Sequence, residues 1–261
     1  MADFPLPNNA CDLTGEVALV TGSTSGLGWR FARVLASAGA KVVVTGRRAE
    51  RLEELVKVIA TDGGEALPLS LDMTDTESIL GVVDKAESAL GLVTILVNNA
   101  GIPDAQRAHK MPIDLIDRVF DTNLRGPYVL SCEVARRLIA AKRPGRMVNI
   151  SSIGGFNYGG GGAALYSITK AGITRMTEVL AVEWARNFIN VNGIAPGAFD
   201  TDMMEHLRRD PERLRRYLAT VPLGRAGGED DIKGVVAFLA SDASAYVTGH
   251  TLVVDGGTTA Y

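Results

Sequence analysis

Seven short runs rich in β-branched and other apolar residues recur from one end of the chain to the other, and the stretches between them carry helical spacing. The runs lie at residues 17–21, 41–45, 66–71, 95–98, 146–150, 189–194 and 251–254. They are nearly continuous rather than alternating, which suits strands buried on both faces, as in a parallel sheet. The helical stretches lie at about 27–38, 48–62, 76–90, 113–142, 164–187 and 229–241. The third opens on Thr74-Asp75-Thr76-Glu77, a run of capping residues and acids suited to a helix start. Strand and helix alternate to the end, so the expected fold is α/β, with right-handed crossovers and helices on both faces of one sheet.

No linker, repeat or low-complexity segment divides the 261 residues. One domain over residues 13–261 is expected, preceded by a mobile segment at 1–12. Lys plus Arg number 27 against 30 Asp plus Glu, which argues against a nucleic-acid binder, usually a basic domain. No apolar run approaches the ~20 residues of a membrane span, and the first residues lack the basic and apolar regions of a signal peptide. The two cysteines, Cys11 and Cys132, make no disulfide framework. Three dispersed histidines, His109, His206 and His250, give no ligand cluster, so no metal is expected. A cytoplasmic protein that binds neither membrane nor nucleic acid is the expectation.

Glycine stands out, with 29 in the chain against average usage near 7%. The first strand runs into Thr21-Gly22-Ser23-Thr24-Ser25-Gly26-Leu27-Gly28, and a helix follows. Glycines there let the chain turn sharply and let backbone amides approach a phosphate. The helix N-terminus adds a partial charge of about +0.5. The spacing is T-G-x-x-x-G-x-G, distinct from the common G-x-G-x-x-G. No Lys-Ser or Lys-Thr follows, which excludes Walker A, and no G-x-S-x-G elbow marks a serine hydrolase. Residues 154–163 include six glycines and read as a loop. Residues 200–218 read as helical pieces broken at Pro211, placed after a strand end where a lid belongs, at about 198–220.

The Thr21–Gly28 loop, Asn98-Asn99-Ala100-Gly101, Asn123, Ser152, Tyr166-x-x-x-Lys170 and Pro196-Gly197 occur in the order typical of short-chain dehydrogenases/reductases. The chain resembles that family from about residue 13 to 258. The resemblance implies a Rossmann-type doubly wound parallel sheet of seven strands binding NAD(H) or NADP(H), in agreement with the strand count above.

Tyr166 and Lys170 are four apart on an expected helix and share one face. A carbonyl that receives hydride must be protonated, and an alcohol that loses hydride must be deprotonated. Free tyrosine, with a pKa of about 10, is a reluctant acid–base at neutral pH. A lysine ammonium one turn away favours the phenolate. A ~3-unit fall would need roughly 4 kcal/mol, which takes a neighbouring cation in a partly dry cleft. Ser152 ends the fifth strand, where a hydroxyl can steady the substrate oxygen. The family pattern S-x-x-G selects it over Ser151, because Gly155 lies three beyond. By resemblance, Asn123 supports a helix kink that holds a water touching Lys170.

The second strand ends in Gly46-Arg47-Arg48. An acid at that strand end would take the ribose hydroxyls of NAD and repel a 2′-phosphate. Glycine instead leaves room and Arg47 offers a bidentate phosphate partner, so NADP(H) is favoured, with NAD(H) left open. Ser25 counts against this, since NADP-preferring relatives often carry a basic residue there. The resemblance further assigns the cofactor Gly22, Ser23, Thr24, Ser25, Gly26, Leu27 and Gly28 in the loop, and Asp72 and Met73 at the adenine. It also assigns Asn99, Ala100 and Gly101, then Tyr166 and Lys170, with Pro196, Gly197 and Thr201 at the carboxamide. Gly101, Gly155 and Gly197 are expected to face the same cleft, and Gly159–Gly162 to form its mobile wall.

The 200–218 segment carries Arg208, Arg209, Arg213, Arg215 and Arg216. A charge run is usually a solvated face; the sharper reading is that one arginine or His206 faces the cleft and clamps a carboxylate. The C-terminal segments look most like sugar-acid and polyol members such as gluconate 5-dehydrogenases. The expected reaction interconverts a polar secondary alcohol and its ketone, with Tyr166 as acid–base. The alternatives are a 3-oxoacyl-acyl-carrier-protein reductase, for which Arg143 fits a carrier-docking position but Asn187 does not, and a non-catalytic dinucleotide sensor. The family habit implies a homotetramer, with a dimer as the fallback.

Overall fold

The computed structural model describes residues 11–104, 106–158, 160, 162–201, 204 and 209–260. Residues 1–10 of the N-terminal segment expected to be mobile, and Gly159, Gly161, His206 and Arg208, lie outside the described residues.

Strands β1 (Val17–Val20), β2 (Lys41–Gly46), β3 (Glu65–Ser70), β4 (Ile95–Asn98), β5 (Gly145–Ile150), β6 (Ile189–Pro196) and β7 (Thr251–Val254) form one sheet. Its order is β3-β2-β1-β4-β5-β6-β7, with every pairing parallel. The doubly wound sheet follows from the composition of the strands. Val17–Val20 and Ile95–Asn98 are buried along their whole length, and successive side chains feed opposite layers. Ala18, Val20, Val42 and Val44 pack with Phe31, Leu35, Leu55 and Ile232 on one face. Val17, Leu19 and Val43 pack with Ile79, Leu130, Ile173 and Trp184 on the other. Pro68 sits on the edge strand β3, where its missing N–H costs little.

The first layer holds α1 (Gly26–Ser37), α2 (Ala49–Thr61) and α8 (Asp230–Ala240). The second holds α3 (Thr76–Leu90), α5 (Gly126–Ala141) and α6 (Ala164–Trp184). Asp75 caps α3 as its sequence suggests, its carboxylate accepting from the Glu77 N–H at 3.0 Å. The single helix expected over 113–142 is instead α4 (Ile113–Phe120), a π-turn (Asp121–Arg125) and α5. The π-turn centres on Asn123, whose side chain is drawn inward to bond both backbone groups of Ile102. Pro211 starts rather than breaks a helix: α7 (Pro211–Leu218) opens on it, and Asp210 caps the Arg213 N–H at 3.0 Å. Strand order reverses between β1 and β4, so the crevice at their carboxyl ends is where such a sheet binds ligands.

Candidate active site

A cleft of about 1160 Å³ opens at that point. Its floor is the glycine loop between β1 and α1. Gly22 has φ +66° and Gly26 φ +58°, values a side chain rarely tolerates, and a Cβ on Gly22 would stand 2.8 Å from the Ala100 Cα. Ser25, the N-cap of α1, makes no side-chain cap. The first amides of α1 are therefore left for an acceptor in the cleft, which suits a pyrophosphate.

Most of the expected cofactor residues line this cleft. Gly22, Thr24, Ser25, Gly26 and Leu27 do so from the loop, and Asn99, Ala100 and Gly101 from the end of β4. Arg47, Asp72 and Met73 occupy one end, and Pro196, Gly197 and Thr201 the other. Ser23, Gly28 and Gly155 do not line it. Ser23 is fully buried and locks β2, donating to the Thr45 carbonyl at 3.1 Å and accepting its N–H at 2.8 Å. Gly28 is there for packing: a Cβ would stand 2.3 Å from the Gly22 carbonyl and 2.4 Å from Asn99 Nδ2. At Gly155 a Cβ would stand 2.8 Å from the Lys170 carbonyl carbon. Of the glycine-rich wall, Gly160 lines the cleft.

At the end of the cleft where the resemblance puts the adenine, Asp72 accepts from the N–H and hydroxyl of Thr74 at 2.9 and 2.8 Å, and these bonds hold its carboxyl below the usual range. The sequence points to Arg47 as the phosphate partner and assigns Arg48 no role. In the structure both line the cleft, and Arg48 reaches back across it. Its guanidinium donates to Thr24 Oγ1 at 2.7 Å and to Ser25 Oγ at 3.0 Å. A cation thus stands beside Ser25, the loop position that lacks one of its own. The Arg-Arg pair was the available signal, but spacing alone does not say which arginine folds back. Gly46 also leaves little room, since a Cβ there would stand 2.6 Å from Thr24 Cγ2.

At the chemical end, Ser152 from the end of β5 faces Tyr166 and Lys170 from α6. The Ser152 hydroxyl faces the Tyr166 hydroxyl closely enough to draw its pKa down, and Ser152 Oγ accepts the Gly154 N–H at 3.1 Å. Lys170 Nζ donates to the Ile150 carbonyl at 2.7 Å. Asn123 stands behind this wall, 1% exposed, bonded to Ile102 and donating to Thr169 Oγ1 at 3.2 Å. The expected fall in the Tyr166 pKa is not what the protein alone produces. Desolvation raises it, the Ser152 hydroxyl lowers it, and the charge of Asp104 raises it again. Burial pushes Lys170 down to about 8. Both groups are therefore poised nearer their neutral forms, and a cationic ring in the cleft would favour the phenolate.

The outer wall comes from the segment that follows β6, where the sequence places a lid. Its base is pinned by Asp200 N–H to the Gly227 carbonyl at 2.9 Å and Gly227 N–H to the Ala198 carbonyl at 2.8 Å. Arg213, Arg216 and Tyr217 of α7 line the same cleft as Ser152 and Tyr166, together with Phe199 and Met204.

The family model described as enoyl-(acyl carrier protein) reductase matches residues 22–259. A 2-dehydro-3-deoxy-D-gluconate 5-dehydrogenase of Dickeya dadantii is 39% identical over 249 residues, covering 95% of this chain and 97% of its own. A 3-oxoacyl-acyl-carrier-protein reductase of Escherichia coli is 40% identical over 243 residues, covering 93% and 97%. Among solved structures, a gluconate 5-dehydrogenase from Burkholderia cenocepacia in complex with NADP and tartrate superposes with a TM-score of 0.91 at 34% identity, covering 97% of this chain and 99% of that one. With the sheet order, the glycine loop and the Ser152–Tyr166–Lys170 group in place, the chain belongs to the short-chain dehydrogenase/reductase family and is an oxidoreductase.

Proposed function

We propose that this oxidoreductase uses NADP(H) to interconvert a carboxylate-bearing secondary alcohol of the sugar-acid type and its ketone. The observation that carries the substrate class is the presence of Arg213 and Arg216 on the wall of the cleft that holds Ser152 and Tyr166. Guanidinium groups over a reacting carbonyl suit an anionic substrate, since Arg pairs carboxylates bidentately. The gluconate-type relatives, one of them holding NADP and the dicarboxylate tartrate, support the same class.

In this reading the glycine loop and the start of α1 hold the pyrophosphate, and Arg47 with Arg48 meets the 2′-phosphate. The cofactor supplies the hydride when bound. The chain's residues do the rest. Ser152 fixes the substrate oxygen beside the Tyr166 hydroxyl, which gives a proton during reduction and takes one during oxidation. Lys170 supplies positive charge next to that hydroxyl. Asn123 holds the backbone of Ile102 close to Lys170 and Thr169, on the path by which the proton exchanges with solvent.

Initial rates with NADPH and NADH over ketoaldonates, neutral ketoses, steroids and acetoacetyl thioesters test the proposal. Turnover of ketoaldonates with NADPH is expected. Activity confined to thioesters or steroids would overturn the substrate class. Reduction of the 3-keto group of an acyl thioester is the second reading, favoured by the similarity to the carrier-protein reductase.

A homotetramer in the cytoplasm completes the proposal. Tyr128, Ile168, Val179 and Val182 present exposed apolar side chains on α5 and α6, and Phe188 and Tyr246 do so near the sheet edge, as self-associating faces would. Both cysteines are unpaired, as in a reducing compartment. Light scattering on the full chain should give four times the chain mass.

A further inference from the structure

Helix α6 carries both Tyr166 and Lys170, yet its own N-cap is Ala163, which makes no side-chain cap. The first N–H groups of a buried helix end need acceptors from elsewhere. Here one carboxylate serves: Asp104 Oδ2, 61 residues upstream of Leu165, accepts the Leu165 N–H at 2.9 Å and the Tyr166 N–H at 3.1 Å. Asp104 is 4% exposed, so its charge sits in a shielded place at the positive end of a 21-residue helix.

The chain that carries Asp104 is gripped at a second point. The Ile102 N–H donates to Asn123 Oδ1 at 2.8 Å, and its carbonyl accepts from Asn123 Nδ2 at 2.9 Å. Between β4 and Ile102, a Cβ built on Gly101 would stand 3.5 Å from Lys170 Nζ. Residues 101–104 thus form a bracket from the end of β4, past the Lys170 ammonium, to the first turn of α6.

We propose that Asp104 is a positioning residue: it clamps the first turn of α6, and with it the Tyr166 side chain, to the loop that follows β4, and it keeps a fixed negative charge beside that turn. The inference rests on the reading of Tyr166 as acid–base. The groups around Tyr166 are Ser152 from the end of β5, Lys170 from its own helix, Asp104 from the bracket, and Arg213 and Arg216 across the cleft. Asp104 opposes formation of the phenolate. Removing its charge while keeping its oxygen should let the phenolate form at lower pH.

Asp104→Asn keeps an acceptor of equal capping strength and removes the charge; Asp104→Ala removes both. Hydrogen–deuterium exchange of the full-length protein, without substrate, reads the clamp. Amides at the start of α6 should exchange about fivefold or more faster in Asp104→Ala and stay within about twofold of wild type in Asp104→Asn. The pH profile of NADP⁺-dependent oxidation, with the best alcohol of the substrate panel, reads the charge. The Tyr166 limb of Asp104→Asn should move down by about 0.5–1 pH unit, with KM for NADP⁺ unchanged within about twofold. Unchanged exchange in Asp104→Ala, or a superimposable profile in Asp104→Asn, would overturn the proposal. Should Asp104→Ala fail to fold, the Asp104→Asn profile decides alone. Tyr166→Phe is measured beside them. If it keeps wild-type turnover, the acid–base reading is at fault; if it is inactive and the Asp104→Asn profile has not moved, only the role of Asp104 is.

Discussion

The ammonium of Lys170 stands 5.6 Å from the centre of the Tyr166 ring and is held there by a 2.7 Å bond to the carbonyl of Ile150. The end of β5 therefore sets the lysine's height above the tyrosine, and the same strand end delivers Ser152. If Tyr166 is the acid–base, Tyr166→Phe should lower kcat by about 10²–10⁴. NADPH affinity, followed by fluorescence titration, should stay within about threefold, because the ring still packs.

Lys170 illustrates the cost of such a site. Burial pushes its pKa down from the ordinary 10.5 to about 8. Below pH 8 it is protonated in both folded and unfolded chains, and burying the charge costs stability. Between pH 8 and 10.5 the folded chain releases that proton first, so this penalty is relieved as pH rises, by up to about 3 kcal/mol. Lys170→Met should abolish turnover yet be at least as stable as wild type at pH 7. Its advantage should shrink by pH 9.5, as measured by denaturant unfolding of both proteins at the two pH values.

Cofactor preference should reside in the pair Arg47 and Arg48 acting against the loop residues Thr24 and Ser25. Arg47→Ala or Arg48→Ala should raise KM for NADPH about tenfold or more and leave NADH nearly unchanged, since each removes a charge-assisted bond to phosphate. Gly46→Asp, the direct route toward NAD, should also weaken NADH binding, because its Cβ would meet Thr24 Cγ2 at 2.6 Å. Steady-state kinetics with both cofactors checks all three.

For the substrate, Arg213→Ala and Arg216→Ala should each raise KM for a ketoaldonate by about tenfold with kcat within about threefold. Neutral ketoses should be unaffected. Equal losses on charged and neutral substrates would show that the arginines shape the lid rather than bind a carboxylate.

Gly28→Ala tests packing rather than ligand contact. Its Cβ would run into the Gly22 carbonyl at 2.3 Å, so both thermal stability and NADPH affinity should fall together. A variant that binds poorly but melts normally would return Gly28 to the cofactor.

Much of this protein is written in local pattern. The β-branched runs set seven strands, and their nearly continuous apolar character pointed to a parallel sheet, although the edge strands β3 and β7 are only partly buried. The Thr21–Gly28 and Tyr166–Lys170 spacings located the loop and the helix that carries Tyr166. These features depend on neighbours within one or two turns, which periodicity records. The π-turn at Asn123 is different, because a polar side chain there is pulled inward by Ile102, 21 positions away. So is the role of Arg48, which depends on a loop 24 residues upstream.

By itself, the sequence determined the seven strands, the sheet type and the family, and it singled out Ser152, Tyr166 and Lys170. Only the tertiary structure decided that Gly28 and Ser23 serve packing, that Arg213 and Arg216 face the cleft, and that Asp104 caps the helix bearing Tyr166. The physical reason is the range of the interaction. A hydrogen bond or close contact between segments far apart in the chain leaves no periodicity behind, and it exists only once the sheet has brought the strand ends together.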